Sequence, residues 1–260
     1  MILIFNNIVA IYRKELQGYF KSPFTYVIAG VFWFLACGLF ARGVQFWILR
    51  AQELEPFGQS VDVPQEVLKD FLSGMWLLAL LILPSLSMGL YAEERRQRTL
   101  ELLATSPITN WAVALGKLMA VWTFFLSLML PVAVFEVLVL INADPPLDKS
   151  VFGVGHLGLL LMAAAILSLG LFVSSLTDSS ILAIVLTYAL ILILSLLFLL
   201  GESWGEPWIS IFDQLSLIKH YVTLTQGVFD SSSLVLFASY IVLGLFLTAQ
   251  SIDLFRFQRH

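Results

Sequence analysis

The chain has 260 residues, 59% of them hydrophobic and 12% charged, with a mean hydropathy of +0.92. Soluble domains carry roughly 25% charge, so this composition excludes one and points to an integral membrane protein. The net charge of −4 provides no basic footprint for nucleic acid.

The N-terminal stretch FNNIVAIYRKELQGYFKSP is amphipathic. Phe5, Ile8, Ile11 or Tyr12, Leu16 and Tyr19 form one stripe, and Arg13, Lys14, Gln17 and Lys21 lie elsewhere. This pattern predicts a helix lying in the membrane interface. The bland alternative is an extension of the first span, but Ser22-Pro23 disfavours helix continuation. The start lacks the basic-then-apolar order of a signal peptide, so it is expected to remain in the mature protein.

A crossing helix needs about 20 apolar residues. Six segments qualify, at about 24–48, 70–91, 111–141, 156–175, 180–200 and 234–254, and their continuity favours helices over barrel strands. The first is expected to break near Arg42, and the third to tilt or kink at Pro131. Cys37, the single cysteine, is read as a small core residue with no disulfide partner. Between spans five and six, DQLSLIKHYVTLTQG places Leu215, Ile218, Tyr221, Val222 and Thr225 at helical spacing, with Gly227 as the stop.

Six spans put both termini on one side. The loops on that side hold Arg13, Lys14, Lys21, Arg95, Arg96, Arg98, Arg256 and Arg259; the opposite loops hold Arg50, Lys69, Lys149 and Lys219. This eight-to-four split predicts that both termini are cytoplasmic.

Between spans two and three, six charges stand in the nine residues Glu93–Glu101. Pairs Glu94–Arg98 and Arg98–Glu101 predict a self-supported helix over Glu93–Ala104. Ser106-Pro107 ends it, and Thr109 or Asn110 caps the next span. A solvated loop is the bland alternative. Of the ionisable groups in the spans, Glu136 is expected either to line a pathway, to pair with Arg42, or to snorkel outward. Lys117 is expected to snorkel to the inner face, Asp178 to cap span five, and Asp253 to pair with Arg256. Ala164, Ser168, Gly170 and Ser174 predict close packing by span four, inside the bundle or at a dimer seam.

No phosphate-cradling loop is present. Gly116-Lys117 is followed by Leu118, and Trp111 stands where the first glycine belongs. The formal G-x-G-x-x-G at Gly153, Gly155 and Gly158 lacks a preceding strand, so its glycines are read as easing the chain into span four. His156, His220 and His260 have no metal-ligand spacing. No catalytic set is legible, and the chain is expected to be no enzyme.

The order EERRQRTLELLATSPITNWAVALGKLMA, then GLFVSSLTDSSILA, then LSLIKHYVTLTQGVFD before a last span resembles the type-2 ATP-binding-cassette (ABC) permeases. Tyr26 to Phe40 after the interfacial helix fits it too, and the likeness covers essentially the whole chain. Within the family it looks nearest to the permease subunits of gliding-motility-type exporters. The resemblance implies an all-α fold, with one permease domain over residues 1–260, six transmembrane helices, an N-terminal interfacial helix and a cytoplasmic coupling helix. It implies a coupling set of Glu93, Glu94, Arg95, Arg96, Arg98, Thr99, Leu100, Glu101 and Leu102, with further ATPase contact at Arg13, Lys14 and Glu15. It implies a separate ABC ATPase that holds ATP and Mg, no cofactor on this chain, a second permease subunit, and residence in the inner (plasma) membrane as a multi-pass protein. The function implied is the transmembrane subunit of an ATP-driven exporter. A membrane anchor that transmits ATPase-driven motion without moving a solute remains open, and an ion-coupled transporter ranks below both because buried charge is scarce.

Overall fold

A computed structural model describes residues 2–99, 109–140 and 143–257. Among them are ten α-helices in chain order: α1 Ile2–Lys21, α2 Pro23–Leu54, α3 Val63–Ser87, α4 Gly89–Arg96, α5 Asn110–Leu140, α6 Lys149–Leu176, α7 Ser180–Trp204, α8 Trp208–Leu215, α9 Leu217–Thr225 and α10 Ser231–Phe257. Six stretches are long and apolar enough to cross a membrane: α2, α3 with α4, α5, α6, α7 and α10. These are the six predicted spans.

Helix boundaries follow local chemistry. Ser22 is extended and Pro23 opens α2, because proline supplies a helical φ where no N–H partner exists anyway. Asp62 caps α3 by accepting from the Gln65 N–H, and Asp148 caps α6 through the Ser150 N–H. Span five is capped by Ser179, whose Oγ accepts the Leu182 N–H; the predicted cap, Asp178, is exposed instead. Contrary to expectation, α2 runs unbroken through Arg42. The helix keeps its hydrogen-bond ladder there, and the long Arg42 side chain stays on the exposed surface.

Helix α6 is the hub. It packs on α3, α4, α5, α7, α9 and α10. Its small residues serve the bundle interior. A Cβ on Gly170 would lie 2.1 Å from Ser87 Oγ, and one on Gly244 of α10 would lie 2.6 Å from the Ser168 backbone. Gly155 and Gly158 do the same for α3 and α9: a Cβ on Gly155 would lie 2.4 Å from Leu72, and one on Gly158 2.8 Å from Leu224. The G-x-G-x-x-G spacing is thus partly a packing pattern.

Span two is interrupted where α3 meets α4. Pro84 has no N–H for the ladder. Ser174 of α6 repairs the junction: its Oγ accepts the Tyr91 and Ala92 N–H groups at 3.1 and 3.0 Å and donates to the Met88 carbonyl at 2.8 Å.

Cys37 is exposed, not in the core. The buried stripe of α2 is Ile28, Phe32, Ala36, Phe40 and Gly43, and Cys37 lies one residue, about 100°, beyond it. Lipid tails are as apolar as the core, so an apolar residue in a span carries no instruction about which way to face. The same ambiguity displaced the α9 face. The buried residues are Leu217, Tyr221, Leu224 and Thr225, whereas Leu215 and Val222 are exposed. Gly227 ends this helix with φ 79°, as expected.

Candidate functional site

Helix α1 lies against α5. Ile11 and the Ile8 carbonyl approach Gly116, Tyr19 stacks on Phe124 at 5.2 Å, and Tyr19 Oη donates to the Leu86 carbonyl at 2.7 Å. The predicted stripe therefore faces the bundle, except Phe5, which is exposed. Burial raises the Tyr19 phenol above its ordinary pKa, with the nearby Glu15 carboxylate adding to it.

This packing builds a charged cluster. Lys117 does not snorkel; it is 1% exposed. Its Nζ lies 3.0 Å from Glu15 Oε1 of α1, 3.0 Å from Glu94 Oε1 of α4 and 2.7 Å from the Leu90 carbonyl. It also stands 5.0 Å above the Tyr91 ring. The ammonium donates to Glu15 and to the Leu90 carbonyl, and Glu94 is its ion-pair partner. Lys14 adds a second cation 3.5 Å from each carboxylate. Burial pulls the Lys14 ammonium down, but Glu15 and Glu94 outweigh it and its pKa is raised. Two cations and two anions thereby balance where α1, α4 and α5 meet.

The predicted charged helix is shorter than expected. It is the C-terminal end of span two, and it stops at Arg96. Arg98 turns left-handed, with φ 58°. The expected Glu94–Arg98 pair is absent because Arg98 has left the helical register and Glu94 faces Lys117. Arg96 pairs with Glu93 instead, and Gln97 Nε2 donates to the same Glu93 oxygen at 3.0 Å. Arg96, Arg98 and Thr99 are exposed, as is Arg13 on α1. Arg95 reaches across to the Ser175 carbonyl at 2.8 Å. Leu100, Glu101 and Leu102, with the Arg98–Glu101 pair and the Ser106-Pro107 stop, lie outside the described residues.

Asn110 Nδ2 donates to Asp253, so the start of α5 is tied to the end of α10. Asp253 thus has a partner other than the expected Arg256, whose side chain is outside the description. The Thr109 carbonyl accepts the Ala112 and Val113 N–H groups and opens α5.

A second polar site lies near the other end of α5. Glu136 is fully buried, and its Oε2 is 3.4 Å from His156 Nε2 on α6. His156 Nδ1 lies 2.9 Å from the Phe152 carbonyl, which can only accept, so Nδ1 carries a proton. Neither Glu136 oxygen has a hydrogen-bond partner among the described residues. Glu136 neither snorkels nor meets Arg42. Phe40 of α2 faces α5, 5.5 Å from Phe135, and Arg42 is two residues, about 200°, around that helix. Arg42 instead borders a groove against Gly74 and Leu77 of α3.

Beyond this pair, α9 closes the same end. Tyr221 Oη donates to the Leu72 carbonyl, and His220 Nδ1 lies 2.8 Å from Ser233 Oγ. Burial lowers the His220 pKa. Hydroxyl and N–H donors of Ser232 and Ser233 hold Asp230 at about 2, as expected for a carboxylate capping α10.

The Lys117 cluster and the Glu136–His156 pair were not read from sequence. One signal was available for the second. Glu136 stands four residues before the end of α5 and His156 seven residues after the start of α6, so consecutive spans bring them to similar height. Lys117 gave no such signal, because its partners are 102 and 23 residues away.

Among known families, the sequence model described as ABC-2 family transporter protein matches residues 51–251. No curated protein matches the chain.

Proposed function

The chain belongs to the ABC-2 family of transporters, and from that premise we propose that it is the membrane half of an ATP-driven exporter whose ATPase is a separate chain. Two permease subunits and two ATPases assemble, with ATP and Mg held by the ATPases. Both termini face the cytoplasm, and the complex sits in the inner membrane. The chain contributes no catalytic group. Its single permease domain alternates access for a solute.

The observation that supports this reading best is the Lys117 cluster. A separate ATPase can drive the spans only if the surface it touches is mechanically tied to them. Lys117 belongs to span three, and its ammonium holds α1 through Glu15 and α4 through Glu94. Force on the exposed Glu93–Thr99 turn or on Arg13 and Lys14 then passes into the bundle through a buried, charge-balanced joint. Coupling by this turn extends to Leu100, Glu101 and Leu102 in our reading.

The test reverses charge on the exposed part alone. Arg96→Glu with Arg98→Glu leaves Lys117, Glu15 and Glu94 intact. Like charges against a partner built for cations cost several kcal/mol. The double variant is expected to insert and melt like the parent, yet to lose co-purification with the ATPase. Normal binding and a normal ATPase rate in the complex would show the turn to be solvated surface.

A further inference from the structure

Glu136 forms part of the wall of a cleft of about 160 Å³ between α2 and α5, whose other walls include Trp33, Phe40, Pro131 and Phe135. The cleft continues into a shallower groove of about 520 Å³ along the same two helices. The two share Cys37, Phe40 and Phe135. The groove is walled by such residues as Val44, Ile48 and Val139, with Gln45 its one polar side chain. Cys37, Phe135 and Val139 are exposed, so the groove opens sideways, toward the lipid of a spanning bundle.

We propose that this α2–α5 cleft is a binding site for a lipophilic ammonium, with the cationic head at Glu136 and the apolar tail in the groove.

A carboxylate closed off in hydrocarbon is costly unless it is paired. His156 stands at 3.4 Å, and neither carboxylate oxygen accepts a hydrogen bond among the described residues. The carboxylate therefore retains capacity for a cation. Trp33, Phe40 and Phe135 are aromatic neighbours, and ring faces attract cations. The Trp33 N–H is already given to the Leu128 carbonyl at 3.0 Å, so this ring contributes surface, not a donor. An anionic head would meet a buried carboxylate, and a purely apolar molecule would leave it unmatched. The small cleft suits a compact head of about five water volumes, at about 30 Å³ each. The groove takes an alkyl chain without displacing any helix.

This inference rests on the transporter reading for its purpose, but not for its test. Cys37, the single cysteine of the chain, borders both cavities and is a built-in reporter. The full chain in lipid nanodiscs is alkylated with N-ethylmaleimide, with or without dodecyltrimethylammonium below its micelle concentration. Dodecanol is the uncharged control. The ammonium is expected to protect Cys37 with an apparent affinity about tenfold above that of the alcohol, as a charge-assisted contact with cation–π support implies. Glu136→Gln, which keeps shape and removes charge, is expected to abolish that preference. Phe135→Leu is expected to weaken it. A cysteine at Ile181, exposed on α7, in a Cys37→Ser background reports general bilayer effects and is expected to show no protection.

Equal protection by ammonium and alcohol would overturn the proposal. So would retention of the preference in Glu136→Gln. Protection that rises with protein density and needs no probe would assign the groove to a second copy of the chain. The assay uses no ATP and no ATPase, so its failure leaves the Arg96 and Arg98 experiment untouched, and the reverse also holds.

Discussion

Span three carries two ionisable groups, Lys117 and Glu136, nineteen residues or about 28 Å apart along α5. Both are buried, at opposite ends of the same helix, yet their surroundings differ in kind. Lys117 donates to the Glu15 carboxylate and the Leu90 carbonyl and pairs with Glu94, and Lys14 completes the charge balance. Glu136 faces one imidazole beyond good hydrogen-bond distance, beside a cleft. The Lys117 site spends most of its polar capacity on joining helices, with Glu94 Oε2 and the Tyr91 hydroxyl left over. The Glu136 site leaves both carboxylate oxygens without a hydrogen bond among the described residues. The more of a buried polar network is satisfied, the more rigid its elements, whereas a carboxylate with neither oxygen bonded leaves a group free for a ligand.

The sharpest way to break this contrast is Lys117→Met. It leaves Glu15 and Glu94, at side-chain exposures of 16% and 14%, with only the exposed Lys14 as a shared cation and removes the buried one. Removing one partner of a buried pair costs about 3–5 kcal/mol. Thermal unfolding in detergent is expected to show a large loss. The triple variant Lys117→Met, Glu15→Gln, Glu94→Gln is expected to recover much of it, because neutral replacement of a whole buried network is often harmless. If the single variant melts normally, the Lys117 cluster joins nothing.

Ser174→Ala asks whether this end of the bundle depends on polar satisfaction beyond charge. The change strips a shared acceptor from the Tyr91 and Ala92 N–H groups and a donor from the Met88 carbonyl. Buried groups left unpaired cost about 1–3 kcal/mol. The α3–α4 junction is expected to loosen, seen as faster hydrogen exchange confined to Met88–Ala92. Unchanged exchange would mean that the helix ladder holds without the serine.

Glu136→Gln is expected to have the smallest effect on stability, within about 1 kcal/mol and of either sign, since it removes a buried charge that accepts no hydrogen bond. A melting loss as large as that of Lys117→Met would make the Glu136 carboxylate structural and erase the distinction between the two ends.

Much of the architecture was legible because it is written in contiguous residues. Six long apolar runs become six crossing helices whatever their neighbours, since a backbone in lipid must bond within its own segment. The Ser22-Pro23 break and the Gly227 stop are equally local. The facing of helices was less legible. Cys37 and the α9 face were misread because core and lipid reward the same side chains, so apolar periodicity fades. In the candidate site, the exposed charges of Glu93–Thr99 were found as a group, but the predicted helix ended early and Glu94 turned inward.

By itself, then, the sequence determined the number of spans, the clustering of basic residues on one set of loops, the charged turn between spans two and three, and the family likeness. All of these depend on residue order over a few turns of helix. Only the tertiary structure decided that Lys117 meets Glu15 and Glu94, that Ser174 repairs span two, and that Glu136 faces His156 instead of Arg42. Those pairings are set by helix rotation and height, and a side chain's partner in a bundle depends on angles that no stretch of neighbouring residues encodes.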